Sequence, residues 1–264
     1  MDYLIEPELA QSAGAGLIAV VRDDVLERVT APHCHARGQL ISSIRGVMTI
    51  ETPAGRWVVP AFDAAWIPPH VPHGLKSHGP YAGWSVYIAE AQCGDLPGRP
   101  LCLATSGLLR EAIVRAASWT PQPRRDAARD RLSGVILDEI RSGQEKPFGL
   151  QSPRDARLVR ITQAILSNPA DNRNLRQWAA FGGLSTRTLT RQFRVETGLG
   201  LAEWRQTARL LRALEKLGAG ESVAAIAFDL GYDTSSAFIA MFRRTFGATP
   251  GKFAADNAGA KPSA

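Results

Sequence analysis

Two stretches of this chain share one plan. LRQWAAFGGLSTRTLTRQFRVETG (residues 175–198) and VAAIAFDLGYDTSSAFIAMFRRTFG (residues 223–247) each run helix, Gly-containing turn, polar cap, second helix, then Phe and Gly. In both, apolar residues recur three and four apart, the spacing of one helical face. In the first stretch Leu175, Trp178 and Ala179 form the apolar face and Gly182-Gly183 the turn. Ser185 caps the next helix, whose Leu189 and Phe193 point inward. In the second, Val223, Ile226 and Ala227 lead and Gly231 makes the turn, after which Tyr232 packs inward. The run Asp233-Thr234-Ser235-Ser236 caps a helix with Phe238, Phe242 and Phe246 on its core side. Leu201 to Leu217 reads as one long helix between the two, with Leu210, Leu211, Leu214 and Leu217 inward. The plan occurs only twice, so this is not a solenoid.

The outward faces carry cations and hydroxyls. Arg187, Thr190, Arg191 and Arg194 lie outside on the first unit's second helix, and Arg243 and Arg244 end that of the second unit. Arginines near a helix C-terminus oppose its partial negative charge and can reach phosphates. Charge is asymmetric along the chain. Residues 1–153 hold 15 Lys and Arg against 16 Asp and Glu, whereas residues 154–264 hold 16 against 9, so the whole net charge of +6 comes from the second part. That distribution points to a nucleic-acid-facing module joined to a neutral one. A linking helix that sets the two units about one DNA turn apart (~34 Å) lets both second helices enter successive major grooves.

On GLSTRTLTRQFRVETG and GESVAAIAFDLGYDTSSAFIAMFRRTFGATPGKF, with their A-x-x-L-G-Y, S-x-F and F-R-R-x-F-G-x-x-P elements, residues 155–253 resemble the C-terminal domain of AraC/XylS-type bacterial transcription regulators. The resemblance implies base contacts from Arg187, Thr190 and Arg191 in the first unit and from Ser235, Ser236 and Ile239 in the second. It also implies an all-α tandem helix-turn-helix domain. Ile239 and Ala240 depart from the polar or basic residues common in that family. Such side chains can touch a thymine methyl but cannot hydrogen-bond a base edge. The first unit is therefore expected to carry most of the sequence reading.

The N-terminal part reads differently. QLISSI, VMTIET, RWVVP and WSVYIA mix β-branched and aromatic residues between turn signals at Arg45-Gly46, Pro53-Ala54-Gly55, Pro68-Pro69 and His78-Gly79-Pro80. Short strands with no helix between them predict an antiparallel barrel or jelly roll. Helical spacing returns at Leu108, Leu109, Ala112 and Ile113, and again from Pro123 to Ile140 at Leu132, Val135, Ile136 and Ile140. Ser152-Pro153 signals a further helix start. The expected fold is two-domain α+β: a sensing barrel over 1–103, a helical linker or dimerisation segment over 104–148, the tandem helix-turn-helix domain over 149–256, and a flexible tail over 257–264.

APHCHARGQL (residues 31–40) places His33 and His35 two apart, so that on a strand they share a face. His73, in WIPPHVPHGL, adds a third imidazole, as in open sites with three protein ligands. His33, His35, Gln39 and Gly46 follow the spacing of the cupin barrel, which residues 30–89 resemble. Gln39 stands where metal-binding cupins usually have Glu, and a neutral amide is the poorer ligand. Three readings stay open: a divalent metal (Zn, Ni or Fe) on His33, His35, Gln39 and His73; a metal-free pocket lined by His33, His35, Trp66, His73 and Trp84; or a structural cluster. His70 and His78 fall in turn-like segments and are expected to be exposed. Trp57 and Tyr87 read as core or pocket lining.

Cys34, Cys93 and Cys102 have no metal-knuckle spacing and read as free thiols. There is no phosphate loop, dinucleotide fingerprint or nucleophile elbow, and Asp138-Glu139 reads as a solvated pair. No apolar run is long enough to span a membrane and the N-terminus lacks signal-peptide character, so a cytoplasmic location is expected. The sequence thus predicts a regulator rather than an enzyme. It binds promoter DNA, responds to a small molecule or metal in the barrel, and engages RNA polymerase if it activates; a homodimer and a single chain with two reading heads both stay open. The competing class is a metal-dependent cupin dioxygenase or isomerase.

Overall fold

In the computed structural model the described residues are 5, 7–11, 16–24, 26–119 and 126–259. They group into two units, one of residues before 53 together with 59–147, the other of residues 53–58 together with 148–259.

The first unit begins with a short helix, α1 (Pro7–Gln11). Strands β1 (Leu17–Asp24), β2 (Val29–His33) and β3 (Gly38–Thr52) follow, then β4 (Gly55–Val59), most of which groups with the second unit. Next come β5 (Asp63–Ile67), β6 (His73–Ile88), β7 (Leu101–Ala104), the helices α2 (Gly107–Ala117) and α3 (Ala127–Ser142), and β8 (Glu145–Lys146). The strand order is β1-β6-β3-β5-β7-β8, with β2 also on β6. These pairings are antiparallel. The expected barrel is thus a barrel-like sheet without closure: among the described residues β1 and β8 do not pair.

Two expected turns are not turns. Arg45-Gly46 lies inside the single strand β3, and His78-Gly79-Pro80 inside β6. The ladder between them shifts register at Ser43/Arg45 and Arg45/Val47, so the glycine signal marked a bulge. Gly46 sits at φ +86°, and a Cβ there would lie 2.5 Å from the Pro80 carbonyl oxygen, so only glycine fits this crossing of the strands. His78, expected to be exposed, is buried on β6 with Nε2 2.8 Å from Thr49 Oγ1.

One face of this sheet packs Leu40, Trp66, Trp84, Val86, Leu101 and Leu103 against Leu109, Ala112, Ile113 and Ala116 of α2 and Ile136 and Ile140 of α3. Leu108, expected inward, is 58% exposed. At 100° per residue it lies roughly 90° from the centre of the stripe that α2 buries. The expected start of α3 at Pro123 lies outside the described residues.

The second unit pairs β4 with β9 (Gly149–Gln151) and is otherwise helical. Its helices are α4 (Ala156–Ser167), α5 (Leu175–Gly182), α6 (Thr186–Thr197), α7 (Leu201–Gly218), α8 (Val223–Asp229), α9 (Ser235–Phe246) and α10 (Pro250–Gly259). α4 starts three residues after the expected Pro153. Asp155 caps it by accepting from the Arg157 N–H, and Glu196 accepts from the N–H groups of Arg154 and Asp155, which fixes the entry. Leu175, expected on the apolar face of α5, is 43% exposed at the helix start. Residues 257–259, expected in a tail, continue α10; residues 260–264 lie outside the described residues. The core is aromatic and aliphatic: Trp178, Leu189, Phe193, Trp204, Phe238 and Phe242 are fully buried, with Leu210, Leu211, Leu214 and Leu217 of α7 among them.

The turns separate glycines that need space from those that need only conformation. Gly231 and Gly198 both sit in the left-handed region, at φ +77° and +76°, but a Cβ on Gly231 would lie 3.0 Å from Ala170 Cα whereas one on Gly198 would meet nothing within 4 Å. Gly198→Ala should cost about 1 kcal/mol in urea unfolding, and Gly231→Ala at least twice that; equal losses would show that the Ala170 contact yields. A second prediction concerns Asp63. Burial raises its carboxyl to about 6, against the weaker pull of Lys146. The folded state therefore holds this proton more tightly than the unfolded one, and stability falls as pH rises from about 4 to 6. Asp63→Asn should raise stability at pH 7 by about 1–3 kcal/mol and leave it nearly unchanged at pH 4.

Candidate functional site

Each helical hairpin of the second unit presents its second helix to solvent by the same means. In the first, Gly183 ends α5 in the left-handed conformation. Ser185 then caps α6 by accepting from the Thr188 N–H, and Leu189, Phe193 and Thr197 are buried on its inner side. This leaves Thr186, Arg187, Thr190, Arg191 and Arg194 exposed along one side. Thr190 donates to the Thr186 carbonyl at 2.9 Å, so its oxygen lone pairs face outward as acceptors. In the second hairpin Thr234 caps α9 by accepting from the Ala237 N–H, while Phe238, Met241 and Phe242 are buried. Ser236, Ala240, Arg243 and Arg244 are exposed; Ser235 and Ile239 are half-buried.

Arginines of this unit fall into two groups. Arg173 is held on Asp171 and stacks on Trp178, and Arg205 and Arg209 donate to carbonyls of the α4–α5 connection. These hold the fold together. The side chains of Arg187, Arg191, Arg194, Arg243 and Arg244 take no hydrogen bond or ion pair among the described residues. Five unpaired guanidinium groups on two exposed, capped helices form a cationic surface suited to phosphates and to guanine edges.

In the first unit the structure brings His33, His35 and His73 together with Gln39. β2 and β6 put His33 opposite His73, and the three rings offer ligand atoms within 4.8 Å of one another. Ring centroids are 4.4 Å apart for His33–His73, 5.0 Å for His35–His73 and 5.6 Å for His33–His35. Each Nδ1 faces a backbone carbonyl: Ala31 at 3.0 Å, Arg37 at 2.7 Å and Val71 at 2.8 Å respectively for His33, His35 and His73. Nδ1 is therefore the protonated nitrogen, and the Nε2 lone pairs face the cluster. Burial pushes His73 down to about 3 and lowers His35 too, so both are neutral, the form that binds metals.

Gln39 completes the set. Its Oε1 lies 3.2 Å from His35 Nε2 and 3.0 Å from His73 Nε2, while its Nε2 donates to Ser85 Oγ at 2.8 Å and Tyr87 OH at 3.1 Å. With the amide in this orientation acceptors face acceptors, an arrangement that costs free energy in a buried site and is relieved by a cation between them or by turning the amide over. The adjoining cavity is about 20 Å³ and is lined by Thr30, His33, Gln39, Ile41, Ile50, Ile67, His73, Leu75 and Tyr87. That holds a water or an ion. Trp66 and Trp84, expected in this pocket, are instead buried in the core on the helix-covered face. Their strand neighbours Ile67 and Ser85 point the other way, as period-two alternation requires. Ile41, Ile50 and Leu75 were missed, since as core aliphatics they carry no chemical signal in the sequence.

A model of a helix-turn-helix domain matches residues 178–256, and one of the AraC-like ligand-binding domain matches residues 16–145. The HTH-type transcriptional regulator NimR of Escherichia coli K12 is 33% identical over 230 residues, covering 87% of this chain and 84% of the relative. The chain belongs to the AraC-type transcription regulators. The match to the HTH-type transcriptional regulator RipA of Corynebacterium glutamicum is 40% identical over 104 residues, covering 39% of this chain and 31% of that one. Among solved structures, ToxT from Vibrio cholerae aligns over 93% of this chain and all of its own, at 12% identity and a TM-score of 0.41.

As an AraC-type regulator the protein binds DNA through its helix-turn-helix domain and carries a ligand-binding domain before it; no helix of the described residues is long and apolar enough to cross a membrane. The contrast between α6 and α9 gives a prediction. Arg191→Ala should cost about 1–3 kcal/mol of operator binding and relax preference at one base pair. Ser236→Ala should cost less than half as much. Competition with scrambled DNA checks both, and a reversed order would place the main reading on α9.

Proposed function

We propose that this regulator ties its affinity for promoter DNA to a divalent transition metal ion, Zn, Ni or Fe, held by His33, His35, His73 and Gln39. The observation that carries the reading is the convergence of the imidazole lone pairs and the Gln39 carbonyl oxygen beside a cavity of about 20 Å³. Three imidazoles with an oxygen donor suit these metals. Carbonyl contacts on the far nitrogens hold the rings in place. The neutral Gln39 in place of a carboxylate and the tandem helix-turn-helix domain support sensing over turnover and speak against the cupin-enzyme alternative. The metal would influence DNA binding only by favouring one arrangement of the protein over another.

The reading extends to partners. The protein acts in the cytoplasm, as a homodimer on promoter DNA, and meets RNA polymerase there if it activates.

Mobility shifts on the DNA flanking its own gene, across a salt series and with or without Zn or Ni, test the proposal. Log affinity should fall linearly with log salt, and Arg243→Ala and Arg244→Ala should each reduce the slope by about 1. Added metal should change the specific affinity at least fivefold in the wild type and not in His73→Ala. Specific binding indifferent to metal would leave the regulator intact and remove the metal.

A further inference from the structure

Gln39 is a poor metal ligand for a position that a carboxylate would fill better, and its hydrogen bonds suggest what the amide does there. The structure has Oε1 toward His35 and His73 and Nε2 toward Ser85 and Tyr87. With a cation among the imidazoles the opposed acceptors are served: Oε1 and the Nε2 lone pairs would face the cation, and the amide protons go to two hydroxyl oxygens. Ser85 can then pass its own proton to the Leu40 carbonyl, 3.4 Å away.

Without a cation this orientation leaves acceptors opposed. Moving the ring protons to Nε2 does not relieve it. The Nδ1 lone pairs would then face the Arg37 and Val71 carbonyl oxygens at 2.7 and 2.8 Å. Turning the amide over does relieve it. Nε2 would donate to His35 and His73, and Oε1 would accept from the Ser85 and Tyr87 hydroxyls. An Asn is too short to span both sets of partners, and a Glu has no proton to offer the imidazoles in the turned state.

We propose that Gln39 is a metal-reporting turnstile: its amide presents oxygen to a bound divalent cation and turns over when the cation leaves. Each turn reverses the hydrogen-bond direction along Gln39, Ser85 and Tyr87, and so carries the occupancy of the histidine site into β6. A Glu at this position would bind metal more tightly but could not report its loss. The inference rests on the metal reading above and adds the residue that senses the ion and the route of the signal.

The test uses the full-length, ¹⁵N-labelled protein stripped of metal and titrated with zinc chloride. The Gln39 side-chain NH₂ signal is identified by its absence in Gln39→Glu, which keeps the side-chain length. In the stripped protein its protons should show nuclear Overhauser contacts to the His35 and His73 rings. After one equivalent of zinc those contacts should be replaced by contacts to the Tyr87 ring. Gln39→Glu should bind zinc at least tenfold tighter by calorimetry. Zinc uptake with contacts to Tyr87 in both states would overturn the turnstile and leave the metal site standing, as would a Gln39→Glu variant that binds zinc no tighter. No zinc uptake at all would overturn the metal reading and the turnstile together, while the mobility shift independently reports whether the protein remains a DNA-binding regulator.

Discussion

The ladder between β3 and β6 supports everything in the ligand-binding unit. It runs from Gly38↔Ile88 to Glu51↔Gly74 and bends at the bulges around Arg45. Its register places Gln39 opposite Tyr87 and keeps Ser85 on the same face one pair along. β2 then adds to the other end of β6 and brings His33 against His73. Because side chains alternate across a strand, a slip of one residue would exchange the histidine face with the tryptophan face. The glycine at φ +86° lets the strand bend where the register shifts, and regular pairing continues on both sides of the bulge.

That alternation also divides the chemistry of the unit. On one face Trp66, Trp84 and the α2–α3 helices exclude water, so this side is held by apolar area. On the other, polar groups are buried with almost no room, and their lone pairs set the character of the site. Burial keeps His35 and His73 neutral, carbonyls fix the protonated nitrogens of the rings, and a neutral amide faces them. An unpaired polar group in such a place is costly, so the orientation of one amide becomes tied to what occupies the cluster.

The DNA-binding unit obeys a different constraint. α7 is the element on which both hairpins are built, with leucines buried along its length and Trp204 donating to the Gln151 carbonyl. Short helices of eight and seven residues, α5 and α8, gain little stability from their own hydrogen bonds. Caps at Asn174 and Ser222 and the aromatic core hold them, as Ser185 and Thr234 cap α6 and α9. Arginines that anchor loops are paired; those on α6 and α9 are not. The fold spends its ion pairs on connections and leaves the reading faces uncommitted.

Much of this was written in the sequence. Helical periodicity, caps and the doubled hairpin determined the second unit, because helices are made of contacts between neighbours along the chain. The same local logic found His33, His35 and Gln39, which lie within seven residues of one another. It failed where the partner was distant. Arg45-Gly46 and His78-Gly79-Pro80 look like turns until β3 and β6 pair, since a positive-φ glycine serves a bulge as well as a hairpin. Trp66 and Trp84 look like pocket residues until strand register assigns them a face. Leu108 looks buried until the position of the sheet fixes the stripe. The sequence alone determined which residues carry the chemistry. The tertiary structure decided which of them meet, because register and facing belong to pairs of strands and no single strand contains them.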